Sequence, residues 1–321
     1  SKLFSYLNHS WKLTELSYWP LASVVAGCLT TLAFAPFDLT WLIFFTVALA
    51  FSLWGKLSAK QALISGWFFG LGLPCTGVSW IYYCLHVHGS APCFFAIILV
   101  FLLCCYLSIY TALAAYAVNR YLPNNPALRL LLFYPASWVV FEWLQGYVMT
   151  GFAWMQLGYT QIDLPLSGFA PVLGNHAVSG LVAVCAGALV VLLKQGRLLP
   201  LEYGLSVVLA VIMLLPAGRL LKNINWTQKD GEPVKVSVIQ GNFAQKDKWK
   251  LHMKQPTLDL YRDLSLAQQD VDLIVWPETA VPDYWYRVVQ YIQQLRRDMK
   301  LQDTDLLLGI FVKNEESRLL N

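Results

Sequence analysis

Among the acidic side chains of this sequence, Glu278 has the setting best suited to proton transfer. It lies in Val271-Asp272-Leu273-Ile274-Val275-Trp276-Pro277-Glu278-Thr279-Ala280-Val281-Pro282-Asp283. A short apolar, β-branched run bounded by Asp and Pro reads as a buried strand of a parallel sheet, covered by helices on both faces. Pro277 cannot donate to a sheet ladder and holds Trp276 extended, so the strand stops there and Glu278 arrives at its C-terminal edge. Open α/β sheets keep their chemistry at that edge. Between Trp276 and Val281 a carboxylate would be partly desolvated, which raises its pKa and suits it to take and return a proton near neutrality. By position alone, a solvated Glu at a strand end is the more ordinary occupant, and the rest of the chain has to decide.

The elements that must position Glu278 divide by composition. Apolar residues are 57% of the 321 and charged residues 13%, about half the share usual in a soluble domain. Of the Lys, Arg, Asp and Glu residues, 14 precede residue 222 and 28 follow from it. This reads as a membrane part, 1–221, a polar linker, 222–232, and a water-soluble part, 233–321. From residue 222 onward the chain carries 14 basic and 14 acidic residues, which argues against a nucleic-acid surface. All seven cysteines, Cys28, Cys75, Cys84, Cys93, Cys104, Cys105 and Cys185, fall in the membrane part, where a Cys is ordinarily a small hydrophobe.

Seven apolar runs approach or exceed the length that crosses a bilayer, near 21–35, 39–54, 61–83, 92–118, 128–147, 176–193 and 200–221. The first has signal-peptide features, with Lys2 and Lys12 ahead of it and Ala33-Phe34-Ala35 at its end, but the charge pattern requires that helix to be retained. Lys2, Lys12, Lys56, Lys60, Arg120, Arg129, Lys194 and Arg197 all fall in the N-terminus and alternate loops, and the loops near 36–38, 84–91 and 148–175 hold no Lys or Arg. Positive-inside counting therefore puts the N-terminus in the cytoplasm and, after seven crossings, the soluble part outside it.

Two features of the membrane part exceed an anchor. Glu142 is an ionisable group inside or at the rim of a span, costly unless paired or wet. The segment Thr150-Gly151-Phe152-Ala153-Trp154-Met155-Gln156-Leu157-Gly158-Tyr159 is too apolar for a connector and is expected at the interface, as a plain interfacial helix or as part of a substrate site. His86 and His88 read as polar residues at a headgroup surface, so no metal is expected. The soluble part reads as strand 234–239, turn Gln240-Gly241-Asn242, helix 256–269, strand 271–275, helix 283–300 and strand 306–312. That β-α-β-α-β order predicts a parallel sheet with right-handed crossovers, and three strands look like the opening of a larger domain.

A strand ending in Gln240-Gly241-Asn242 followed by one ending in Trp276-Pro277-Glu278 resembles the opening of the carbon–nitrogen hydrolase (nitrilase) fold. Thr31-Leu32-Ala33-Phe34-Ala35-Pro36, Gly70-Leu71-Gly72, Val78-Ser79-Trp80-Ile81-Tyr82 and the 150–159 segment narrow the likeness. Together with Lys248-Trp249 and Trp276 through Pro282, they resemble the apolipoprotein N-acyltransferase family of Gram-negative bacteria. The expected fold class is thus a membrane α-helical bundle of about seven transmembrane helices followed by an incomplete α/β nitrilase-like domain. The resemblance implies lipoprotein biosynthesis in the inner membrane, with the soluble domain periplasmic. A Cys thiolate takes an acyl chain from a phospholipid, and the amine of a diacylglyceryl-modified N-terminal Cys of an apolipoprotein then receives it. It further implies Glu278 as the catalytic base, Trp249 as a lipid-facing loop aromatic, a substrate contact at Trp154, and no cofactor. The family's catalytic Lys and Cys are not matched: no Cys follows Cys185, Lys313 does not fit the motif, and Gln145 stands where a basic residue is usual. The chain is accordingly expected to be a truncation and, as given, inactive. The alternatives are a non-catalytic anchor or partner protein, a transporter with an appendage, and a membrane-mounted amidase.

Overall fold

The computed structural model describes residues 18–194, 200–313 and 319–320. Lys2, Lys12 and Arg197, three of the charges used for orientation, lie outside the described residues. The chain divides into two compact units, with the boundary between Thr227 and Gln228.

In the first unit each of the seven apolar runs coincides with a helix. These are α1 (Trp19–Thr31), α2 (Leu42–Trp54), α3 (Ala59–Gly77), α4 (Cys93–Tyr121), α5 (Tyr134–Gln145), α6 (Asn175–Leu193) and α7 (Leu201–Lys222). Among the described residues, α4, α6 and the continuous Pro126–Gln145 helix that contains α5 are long and apolar enough to cross a membrane. A fourth span results if α3 and Trp80–His88, bent by 50° from each other, count as one. The two helices α1 and α2 have 13 residues each, about 20 Å of rise against about 30 Å of hydrocarbon, so length alone does not make them spans.

Local signals explain several boundaries. Ser58 and Gln61 form a capping box at the start of α3. Asn125 accepts from the Ala127 and Leu128 amides, with Pro126 in the first turn, where its missing N–H costs nothing. Close helix approach depends on small residues: a Cβ at Gly27 of α1 would sit 2.1 Å from the Phe69 carbonyl oxygen of α3, and one at Gly72 would sit 2.3 Å from that of Val24. Aromatic rings fill the centre of the bundle, with Trp54 stacked on Trp138 at 6.1 Å and Phe51 on Tyr134 at 5.2 Å.

The expected interfacial helix over 150–159 does not form. Instead, short turns at Val148–Thr150, Leu157–Gln161 and Pro165–Phe169 fold this segment back onto the bundle, and Leu157, Gln161 and Leu166 are buried. Left-handed φ values at Met149, Thr150, Gly151 and Met155 are the reason, since a helix cannot pass through them.

The second unit has a three-stranded parallel sheet, β1 (Val236–Val238), β2 (Leu273–Val275) and β3 (Asp305–Leu307), in that order. Val236 pairs with Leu273 and Leu273 with Asp305. The crossovers are α8 (Lys254–Leu266) and α9 (Val289–Leu301). β1 and β2 each start two residues later than expected; β2 ends at Val275 as expected, ahead of Pro277, and β1 ends one residue early, ahead of the Gln240-Gly241-Asn242 turn, where Asn242 has φ 51°. The expected strand 306–312 is broken after Leu307; Val312–Lys313 (β4) pairs instead, antiparallel, with Leu319–Leu320 (β5). α9 starts at Val289 and not at Asp283, because Asp283 accepts from the Tyr284 amide at 2.7 Å and a 3-10 turn, Trp285–Arg287, intervenes. The core joins Ile274 and Trp276 to Leu258 and Tyr261 of α8 and to Ile292, Leu295 and Met299 of α9.

Candidate functional site

In the second unit, the side chains singled out in the sequence meet at the exit of β2. Trp276 is 3% exposed, with its ring 4.9 Å from Tyr261 and its Nε1 donating to Ser265 Oγ at 2.8 Å. It faces α8, away from the turn that follows, and therefore does not cover Glu278. Glu278 is exposed, so the expected desolvation by Trp276 and Val281 is not realised. The backbone turns sharply there: Thr279 has φ 50°, a left-handed conformation costly for a β-branched residue. Such outliers persist only where their surroundings hold them.

Two contacts hold this one. A Cβ at Gly309 would lie 2.6 Å from the Thr279 nitrogen and 3.1 Å from Glu278 Cα, so only glycine lets the exit of β3 run this close to the turn. From the other side, Lys248 Nζ donates to Thr279 Oγ1 at 2.9 Å and to the Glu278 carbonyl oxygen at 3.4 Å. Burial pushes the Lys248 ammonium's pKa down, and the Glu278 charge opposes that shift.

Sequence reasoning used Lys248 only as part of a motif and gave it no role at the Glu278 turn. Its signal was faint: Asp247, the adjacent acid, pairs with Lys250 at 2.5 Å, leaving Lys248 to reach elsewhere.

Trp249 is 51% exposed, with its ring 5.7 Å from Phe311 and 5.7 Å from Lys248 Nζ. Phe311 also meets Tyr284, which stacks on Tyr286 at 5.6 Å. An acid, an ammonium and a half-exposed aromatic surface thus share one end of a parallel sheet, where a proton acceptor could serve a reaction on an apolar substrate. Asp283 anchors the segment after Glu278 by its ion pair with Lys254 of α8.

In the first unit, Glu142 is 8% exposed and paired. One carboxylate oxygen accepts from Trp138 Nε1 at 3.2 Å and from the Leu157 amide at 3.0 Å; the other lies 3.4 Å from His176 Nδ1. The cost expected of a carboxylate in a span is offset in this way, and the carboxylate ties the 150–161 segment to α5 and α6. Asn175 Nδ2 donating to Gln156 Oε1 at 2.6 Å, and the Gly158 amide donating to Ser179 Oγ at 2.8 Å, secure the same segment.

Glu142, Gln145, Trp138, Trp154 and Tyr110 line a pocket of about 50 Å³, together with Pro74 of α3 and Val78 just after it. Trp154 is 55% exposed, with Phe152 at 5.1 Å and Trp80 at 6.4 Å. His86 and His88 do not converge: His86 stacks on Tyr82 and its Nδ1 lies 2.8 Å from the Ala91 carbonyl oxygen, and His88 packs edge-on against Tyr83. Among the described residues no group of three or more His, Cys, Asp or Glu is placed to hold a metal.

Comparison with known proteins bears on both units. The family model for the apolipoprotein N-acyltransferase N-terminal domain matches residues 26–188. An apolipoprotein N-acyltransferase of Vibrio parahaemolyticus is 34% identical over 303 residues, 94% of this chain and 59% of that protein. The one of Pseudomonas paraeruginosa is 43% identical over 270 residues, 82% of this chain and 52% of that protein, and the one of Methylococcus capsulatus is 34% identical over 294 residues. The chain therefore spans little more than half the length of the curated relatives it matches. These alignments run past the membrane helices and, in the longest, over nearly the whole of this sequence, and the chain belongs to the apolipoprotein N-acyltransferase family.

Proposed function

We propose that this chain carries the membrane bundle and the first strands of the nitrilase-like domain of an enzyme that N-acylates the N-terminal diacylglyceryl-cysteine of apolipoproteins. A phospholipid supplies the acyl group through a Cys thioester. Glu278 is the general base that takes the thiol proton and returns it to the leaving group. The sulfur is expected on the part of the relatives' length that these residues do not cover. Trp249 and Trp154 contact the lipid chains. Seven spans, an N-terminus in the cytoplasm and a periplasmic second unit in the bacterial inner membrane complete the reading, which the uneven distribution of Lys and Arg supports.

One observation supports the reading: the family relationship, joined to a turn at the C-terminal edge of a parallel sheet that carries Glu278 and is braced by Lys248 and Gly309. In the full-length protein, labelled phospholipid should leave an acyl group on the enzyme, and Glu278→Ala should abolish it. Labelling that survives the substitution would overturn Glu278 as the base. The exposure of Glu278 favours one other reading, a non-catalytic anchor or partner protein, under which Glu278→Gln leaves lipoprotein maturation untouched.

A further inference from the structure

At the end of the bundle where α2 and α6 finish and the α5 helix begins, Lys56, Arg129 and Lys194 line one pocket of about 190 Å³, together with Asn124, Ser52 and Tyr134. No Asp or Glu lines it. Lys194 directly follows α6 and Lys56 stands two residues past the end of α2, where a cation offsets the negative end of the helix dipole, so they alone would call for no ligand.

Arg129 differs. It is 8% exposed, and its Nε and one terminal nitrogen donate to the Pro123 and Leu122 carbonyl oxygens, each at 3.1 Å. Those bonds satisfy donors but leave the charge uncompensated, and no carboxylate lies within 4.0 Å of it among the described residues. It is also the fourth residue of a helix starting at Pro126, close to the end where the dipole is positive and a further cation is unfavourable. A charge this deeply buried calls for an opposite one. Lys194 adds to the need: burial pushes its pKa down, and the charge of Lys56 pushes it the same way.

We propose that this pocket binds the phosphate of an anionic glycerophospholipid in the leaflet at this end of the bundle. Guanidinium and ammonium groups converging between helices suit a phosphate, and basic pockets of this kind take anionic headgroups. The volume, below the roughly 300 Å³ of pockets that enclose whole small molecules, fits a headgroup whose chains lie outside along the helices. This site goes beyond acyl transfer and does not depend on Glu278.

The test uses the full chain in nanodiscs, with native mass spectrometry reading bound lipid. Phosphatidylglycerol should be retained over phosphatidylcholine, and the double variant Lys56→Gln/Lys194→Gln should weaken that retention about tenfold. Lys60→Gln, in the first turn of α3 and outside the pocket, should not. Equal retention in the double variant and the parent overturns the proposal. So does stabilisation by inorganic phosphate that depends on Lys56 and Lys194 when phosphatidylglycerol shows no such dependence, since the ligand would then be free phosphate. Arg129→Gln risks misfolding, so the lysine pair carries the decision.

Discussion

Lys248 holds the turn that carries Glu278 from thirty residues away in sequence, donating to Thr279 Oγ1 at 2.9 Å and to the Glu278 carbonyl oxygen at 3.4 Å. Its contact is with the backbone and the neighbouring hydroxyl, so it holds the turn and not the carboxylate directly. Lys248→Met keeps the length of the side chain and removes the donor. Acyl-enzyme formation by the full-length protein should fall by about 100-fold, the scale of a 1 Å misplacement. Lys248→Arg should recover part of it. A rate within threefold of the parent in single-turnover labelling would show that the turn holds without the ammonium.

Gly309→Ala tests the other side of the turn. Its methyl would meet the Thr279 nitrogen at 2.6 Å, a backbone contact that cannot rotate away. The expected loss is about 1–3 kcal/mol, typical of overpacking, together with lower acyl transfer. Thermal unfolding of the detergent-solubilised full chain, followed by tryptophan fluorescence, measures the first part.

Glu142→Ala should destabilise the membrane unit by about 3–5 kcal/mol, because it strands the Leu157 amide and Trp138 Nε1 in a buried site. Glu142→Gln keeps an acceptor oxygen and should cost less. A cysteine placed at Trp154 should label faster with a maleimide in Glu142→Ala than in the parent, as the 150–161 segment loosens. Unchanged labelling would mean that Asn175 and Ser179 hold the segment unaided.

Asp283 gives the second unit a dependence on pH. Burial alone would raise its carboxyl pKa, but the Lys254 ammonium, the Tyr284 amide and the Arg287 guanidinium together hold it below the ordinary 3.8. Its stabilisation is therefore complete above about pH 4 and is lost as pH falls through the lower folded value. Asp283→Asn should cost about 1.5–3 kcal/mol at neutral pH and should flatten the acid limb of the unfolding profile. The two proteins should converge in stability at the lowest pH, which denaturant titration from pH 7 down to about 2 would show.

Much of this protein was legible in its residues. The jump in charge density near residue 222 separates what a bilayer accepts from what water accepts, and the boundary between the compact units falls close by, at Thr227. The β-α-β-α-β order follows from patterns read over a few residues, and the Trp276-Pro277 step places Glu278 at a strand exit because proline acts on its immediate neighbours. Local patterns could not show that Trp276 turns toward Tyr261 and leaves Glu278 open, or that Lys248 reaches the turn. The partners of Glu142 come from α5, α6 and the 157 turn, and Arg129, Lys56 and Lys194 come from three separate stretches of chain. Periodicity and proline encode the conformation of adjacent residues, whereas these contacts depend on how whole elements pack, a property of the closed bundle and the paired sheet and of no single segment.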